Sequence, residues 1–416
     1  MAIHYFIPDW DDRVDPNYDF ERDLHTAERN PYRDDQYAHE LYDGAPYDGI
    51  LLSRAVVDAS ITKRALMREL GSVHRYLRLP HDRNHLVMGD CGAFSYWKQA
   101  EPPYQSAEML EYYQQHGFDI GVSIDHLIFS GFDLSDKQRR WHITMHNAEA
   151  FLRLHQQGRY TFIPMGVAQG WNPETYQQAV RRLIQMGYNS IALGGLVRSS
   201  NHEILQILHA IQAEITPSLR VHLFGVSRPA QVPLFRQLGV TSFDSASRLR
   251  KAWTDGRKNY YIGDTTYTAI RVKYARTVAK AHGLAEAETV CKEQAALRAL
   301  RDYDQGRVSF ETVYEAVLSY AELSGTLPSC IQADYQTTLE EQPWKQCACT
   351  ICRSIGIEVM IFRGNNRNRR RGFHNTWHLY QQLQAMTDEY RAITHQPMIR
   401  QVMMEMDQLV LHDEEL

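Results

Sequence analysis

The sequence predicts an α/β chain closed as a (β/α)8 TIM barrel, interrupted by a helical insertion and followed by a small cysteine-bearing subdomain. Two observations predict the barrel. Seven short runs rich in β-formers alternate with longer stretches of helical periodicity, the pattern of parallel strands joined by helical crossovers. Asp90, Asp125, Gln169-Gly170, Gly194-Gly195, Gly225 and Asp244 each follow directly on one of those runs, so a barrel would line one mouth with all of them. A doubly wound sheet would gather only those beside its switch point, and no Gly-rich dinucleotide fingerprint follows the first run.

Taken in order, residues 1–48 read as an acidic amino-terminal arm. The opening MAIHYFIPDWDDRVDP turns acidic where a secretory leader would be basic and then apolar, and no stretch is apolar for long enough to span a membrane. A cytoplasmic protein without membrane contact is expected. Residues 49–262 carry the barrel, with runs at Gly49–Ser53, His85–Gly89, Asp119–Ile124, Thr161–Val167, Ser190–Leu193, Arg220–Phe224 and Val240–Phe243. Between them, Pro173–Met186 and Glu203–Ile211 space apolar residues helically and turn polar faces outward. Residues 263–343 read as an insertion, with two or three helices from about Tyr267 to Ser324 and a loop ending at Pro343. Residues 344–393 form the subdomain with a last helix, His374–Ile393, that would close the barrel; 394–416 form a helical or frayed tail.

Composition bounds the partners. The 416 residues, 44% of them hydrophobic, suffice for a sizeable core, and the net charge of −5 argues against bulk electrostatic coating of nucleic acid. Charge must then act locally. Arg363, Arg367, Arg369, Arg370 and Arg371 cluster on a segment read as a loop, where phosphate contact competes with the plainer reading of a solvated loop.

Cys347-x-Cys349-x-x-Cys352 places three of the six cysteines too close together for mutual disulfides. With one histidine they would complete a closed tetrahedral zinc site, structural because no position is left open for water. His374 and His378 lie one helical turn apart on one face, so either can turn toward the sulfurs. Cys91, Cys291 and Cys330 read as isolated reduced thiols.

Met88-Gly-Asp90-Cys-Gly92-Ala-Phe94 ends a strand in an acid, a tight glycine turn and an aromatic ring; Ser123-Ile-Asp125 and Ser242-Phe-Asp244 repeat the strand-end acid. One such aspartate is as readily a turn cap. Three in one mouth repel and shift one another's pKa, which suits acid/base or nucleophilic work.

In the order Asp90-x-Gly92-x-Phe94, Ser123-x-Asp125, Gly166-Val-x-Gln169-Gly170, Gly194-Gly195-Leu196, Gly225-Val226, Phe243-Asp244, the cysteine cluster and His374-Asn375, the chain resembles the tRNA-guanine transglycosylases from about Gly49 to Tyr390. The resemblance implies a guanine-exchanging glycosyltransferase, with Asp244 as nucleophile and Asp90 as general acid/base. It implies Asp125 and Gln169 as readers of the purine edge, Gly194 and Gly195 against the base with Gly195 donating from its backbone, and Phe94 and Phe224 as stacking walls. It further implies structural Zn2+ on Cys347, Cys349, Cys352 and His374. His374 is preferred because Asn375 follows it, whereas His378 fits the bacterial spacing better.

Departures narrow the branch. Asp90-Cys-Gly-Ala93 stands where bacterial tRNA enzymes carry Asp-Ser-Gly-Gly, Ser245–Arg250 stands where they carry Pro-Thr-Arg, and no tRNA-anchoring domain of the archaeal type follows the cysteines. The amino-terminal FIPDWDDRVDPNYDF resembles the DpdA branch, whose members exchange guanine in DNA for a 7-deazaguanine, usually 7-cyano-7-deazaguanine (preQ0). That likeness implies DNA as partner, a separate ATPase of the same modification system and, as an option, a homodimer. The alternatives are base exchange in tRNA and a non-catalytic binding subunit, the latter disfavoured by the presence of both Asp90 and Asp244.

Overall fold

The computed structural model describes residues 3–80 and 85–393, with side chains to residue 386; the predicted tail 394–416 lies outside the described residues. Eight parallel strands form a closed barrel: β1 (His4–Pro8), β2 (Gly49–Ser53), β3 (Leu86–Asp90), β4 (Ile120–Val122), β5 (Ile163–Ala168), β6 (Ser190–Leu193), β7 (Arg220–Leu223) and β8 (Val240–Asp244). The barrel class and seven of its strands match the sequence expectation. The eighth is β1, which closes the ring by pairing Phe6 with Gly49 on one side and Tyr5 with Phe243 on the other. It lies in the stretch read as an acidic arm.

Alternate residues of a strand face opposite sides, so each strand sends one row inward. Phe6, Leu51, Met88, Ile120, Val122, Met165, Val167 and Ala192 form the barrel's inner core. Gly49 leaves room for the Phe6 ring, since a Cβ there would meet ring carbon at 2.4 Å. Continuing the inward rows by two residues toward the carboxyl ends reaches Ser53, Asp90 and Gln169. Of the predicted mouth residues, Asp90 and Gln169 are thus the ends of rows whose lower members are hydrophobic.

The outer helices follow local rules. Pro173–Met186 starts on Asn172, whose side chain accepts from Thr175 N–H at 2.9 Å, and buries Tyr176, Ala179, Val180 and Leu183 along one stripe. Among the described residues no helix is long and apolar enough to cross a membrane.

The chain divides into two compact units. One contains β1 to Trp10 and Tyr47–Ala246, hence the whole barrel, with the chain from Leu383. The other contains Asp11–Pro46 and Ser247–Gln382, so the predicted arm is shared between both. In this second unit the insertion holds helices Ala275–His282, Glu286–Asp304 and Phe310–Ala321 and a further helix, Ser329–Glu341, where a loop was expected. The arginine run is also helical. Gly364–Ile393 is one continuous helix, so the segment carries its guanidiniums on a rigid rod and not on a loop.

Candidate active site and metal centre

Asp90 ends β3 on the inward row and retains partial access to solvent. Ser53, at the end of the β2 row, donates its hydroxyl to Asp90 Oδ1. Burial raises the Asp90 carboxyl to about 7, the charges of Asp125 and Asp244 push the same way, and the bonds from Ser53 and the Gly92 backbone oppose them. A carboxyl so held carries a proton over much of the neutral range.

Asp125 follows β4 and is 6% exposed. Gln169 donates its amide to Asp125 Oδ2 at 2.6 Å, and the Cys91 thiol lies 3.5 Å from Oδ1. Burial raises its carboxyl to about 6 despite both contacts. Gln169 is fully buried, and its Oε1 has no partner among the described residues. Gly194 and Gly195 pack against this amide. Gly195 adopts φ +80°, a conformation that demands glycine, and a Cβ there would crowd Gln169 Oε1 at 2.9 Å.

Asp244 ends β8, 5% exposed. Its Oδ1 accepts from Gly225 N–H at 2.9 Å and lies 3.1 Å from His222 Nε2. Phe224 packs half-buried against the barrel core, whereas Phe94 is 58% exposed in the short helix Ala93–Tyr96 that follows β3. His222, Ser53 and Ser242 escaped the sequence reading. The signal was there for His222, because it stands two residues before Phe224 and so shares its inward row.

In the second unit Cys347, Cys349, Cys352 and His374 place one sulfur or nitrogen each within 4.8 Å of one another, all four buried. His374 Nδ1 lies 3.3–3.5 Å from each of the three sulfurs, and its Nε2–H donates to the Tyr261 carbonyl at 2.8 Å. His378 reaches Cys347 alone, at 3.2 Å. The geometry therefore groups His374 with the cysteines, its ring oriented by the outer hydrogen bond as metal-ligating histidines are. Burial and the neighbouring sulfurs push the Cys352 thiol up, a cost that a bound cation would remove. The donor set fits a soft, four-coordinate metal ion.

The queuine tRNA-ribosyltransferase family model matches residues 57–279. A DNA-guanine transglycosylase of Salmonella montevideo is 40% identical over 409 residues, covering 92% of this chain and 97% of that protein. The chain belongs to the tRNA-guanine transglycosylase family. Two archaeal members of the family, tRNA-guanine(15) transglycosylases of Methanococcus aeolicus and Pyrococcus furiosus, are 24% and 25% identical over 180 and 212 residues. Those matches cover 41% and 48% of this chain but only 27% and 34% of the archaeal proteins.

For this transglycosylase the arginine run needs correcting. Arg367 and Arg371 are fully buried, and Arg363 and Arg370 are 7% and 4% exposed. Arg363 pairs with Asp23 and Glu293, and Arg367 with Asp23 and Glu358. Arg370 and Arg371 donate to the carbonyls of Asp15 and Ala252, and Arg369 to that of Arg13. A guanidinium enclosed with its donors already engaged has none to offer a phosphate, so the predicted nucleic-acid contact fails for the buried four.

Proposed function

We propose that this chain exchanges guanine in DNA for a 7-deazaguanine, with 7-cyano-7-deazaguanine as the incoming base, by two displacements at the anomeric carbon. One observation carries the mechanism: a carboxylate fixed by two neighbours, Asp244, and a carboxyl raised to about 7, Asp90, open into the same barrel mouth. The near-complete coverage of a relative named for DNA guanine supports the polymer.

The target nucleotide leaves the base stack to reach the mouth, and Phe94 and Phe224 replace its lost stacking. Asp125 and Gln169 read the purine edge, with Gly194 and Gly195 against it. Asp244 attacks the anomeric carbon as the glycosidic bond breaks, and the departing guanine takes the Asp90 proton. Asp90, now a carboxylate, removes the ring N–H proton of the incoming base. That nitrogen attacks the same carbon and expels Asp244, so configuration is retained. Zn2+ on Cys347, Cys349, Cys352 and His374 would serve as a structural cross-link only. The reading also includes a cytoplasmic location and the ATPase partner that the DpdA likeness implies.

A denaturing trap tests this. Wild-type protein stopped during incubation with guanine-containing DNA should carry a covalent DNA adduct, and Asp244→Asn should carry none while losing exchange by several orders of magnitude. An adduct formed on tRNA and not on DNA would overturn the polymer; base exchange by Asp244→Asn would overturn the mechanism.

A further inference from the structure

The Asp244 carboxylate is held by one oxygen. Oδ1 accepts the Gly225 N–H at 2.9 Å and faces His222 Nε2 at 3.1 Å, and no hydrogen bond reaches Oδ2 from any described residue. His222 is itself fully buried at the β7 end of the barrel interior. Its other ring nitrogen, Nδ1, lies 2.9 Å from Ser242 Oγ, on the same β8 row as Asp244 and two residues before it.

These partners assign the tautomer. A carboxylate only accepts, so the imidazole proton facing Oδ1 sits on Nε2, and Nδ1 accepts the Ser242 hydroxyl. We infer that His222, oriented by Ser242, is a positioning residue for glycosyl transfer: it donates Nε2–H to Asp244 Oδ1 and thereby leaves Oδ2 as the attacking oxygen. The inference rests on the reading of Asp244 as nucleophile.

The arrangement serves both displacements. In the first, Oδ2 forms the bond to the anomeric carbon as the base departs with the glycosidic electron pair. Oδ1 becomes the carbonyl oxygen of the resulting ester, still facing two donors. In the second, the incoming nitrogen takes over the anomeric carbon, the Oδ2 electron pair returns to the carboxylate, and the charge spreading onto Oδ1 meets donors already in place. No proton leaves His222 at either stage.

A purely packing role is the competing account, because the ring also meets Phe224 edge-on at 4.9 Å and Phe6 at 5.8 Å. Three variants separate the two. His222→Phe keeps an aromatic ring and removes the donor; His222→Gln carries an amide N–H near the Nε2 position; Ser242→Ala frees the tautomer. For positioning, His222→Phe should lower kcat roughly 10- to 100-fold with the KM for the incoming base within about twofold of wild type. His222→Gln should recover most of that loss, and Ser242→Ala should fall between them. A His222→Phe enzyme with wild-type kcat would overturn the inference, as would a His222→Gln enzyme no better than His222→Phe. If His222→Phe does not fold, Ser242→Ala decides: wild-type kcat counts against the inference, a kcat loss at constant KM for it. The reading beneath fails separately, through an Asp244→Asn protein that still forms the DNA adduct.

Discussion

Gln169 donates to Asp125 across 2.6 Å, and the oxygen of the same amide has no hydrogen-bond partner among the described residues. Burying an acceptor without a donor costs about 1–3 kcal/mol, so the pair is complete only when something brings an N–H to it. The purine edge proposed to dock here would do so. Gln169→Leu should therefore raise the KM for the incoming base about tenfold or more. Titration of the free base against both proteins checks this, and an unchanged KM would remove Gln169 from the base-reading set.

The Asp90 carboxyl makes a pH prediction with a definite sign. Raised from its ordinary 3.8 to about 7, chiefly by burial, it favours folding in its protonated form. That contribution is full below about pH 4 and is lost as pH rises through 7. Asp90→Asn, neutral throughout, should gain stability relative to wild type between pH 4 and pH 8, by roughly 1–3 kcal/mol after allowing for partial solvent access. Paired thermal melts across that range measure it. The wild-type exchange rate should also decline above pH 7, where Asp90 no longer holds the proton that guanine needs; a stability difference that stays flat with pH would contradict the assignment.

Cys349 faces both the metal set and the first turn of the helix Thr350–Ile355, where its sulfur accepts the Cys352 N–H at 3.4 Å. If the cluster holds the proposed Zn2+, Cys349→Ser should abolish its binding and lower stability by several kcal/mol, because the binding energy of such a site is largely folding energy. Elemental analysis alongside denaturant titration is the measurement. Purified wild-type protein without stoichiometric zinc would exclude the zinc centre.

Arg367 is enclosed with Asp23 and Glu358, and also donates to the Phe20 carbonyl at 2.6 Å. Removing the guanidinium takes one of two arginine partners from each carboxylate, leaving Asp23 with Arg363 and Glu358 with Arg301, so Arg367→Ala should cost about 1–3 kcal/mol. At temperatures where the variant stays folded, the salt dependence of its DNA affinity should match wild type, because no phosphate contact has been lost. A slope reduced by about one, with stability intact, would restore the phosphate reading.

By itself the sequence determined the barrel, seven of its strands, the strand-end carboxylates and the cysteine cluster. Each is written within a few neighbouring residues: an apolar run and the polar residue that ends it, or three thiols inside six positions. His4–Pro8 escaped because a single five-residue run inside an acidic stretch carries no periodic support, and only its pairing with β2 and β8 makes it a strand. The preference for His374 over His378, drawn in the sequence from the Asn375 that follows, gains its geometric support only from the helix, where His374 Nδ1 lies within 3.5 Å of all three sulfurs. The tertiary structure alone decided the arginines and the partner of His222, whose inward row was legible but whose contact was not. Asp23, which pairs with Arg363 and Arg367, stands 340 and 344 residues away from them, and the Asp244 that His222 faces is 22 residues on. A linear pattern shows that a side chain is charged or polar, whereas the group that meets it is set by which distant segments pack together, and that packing separates a surface cation from a buried one.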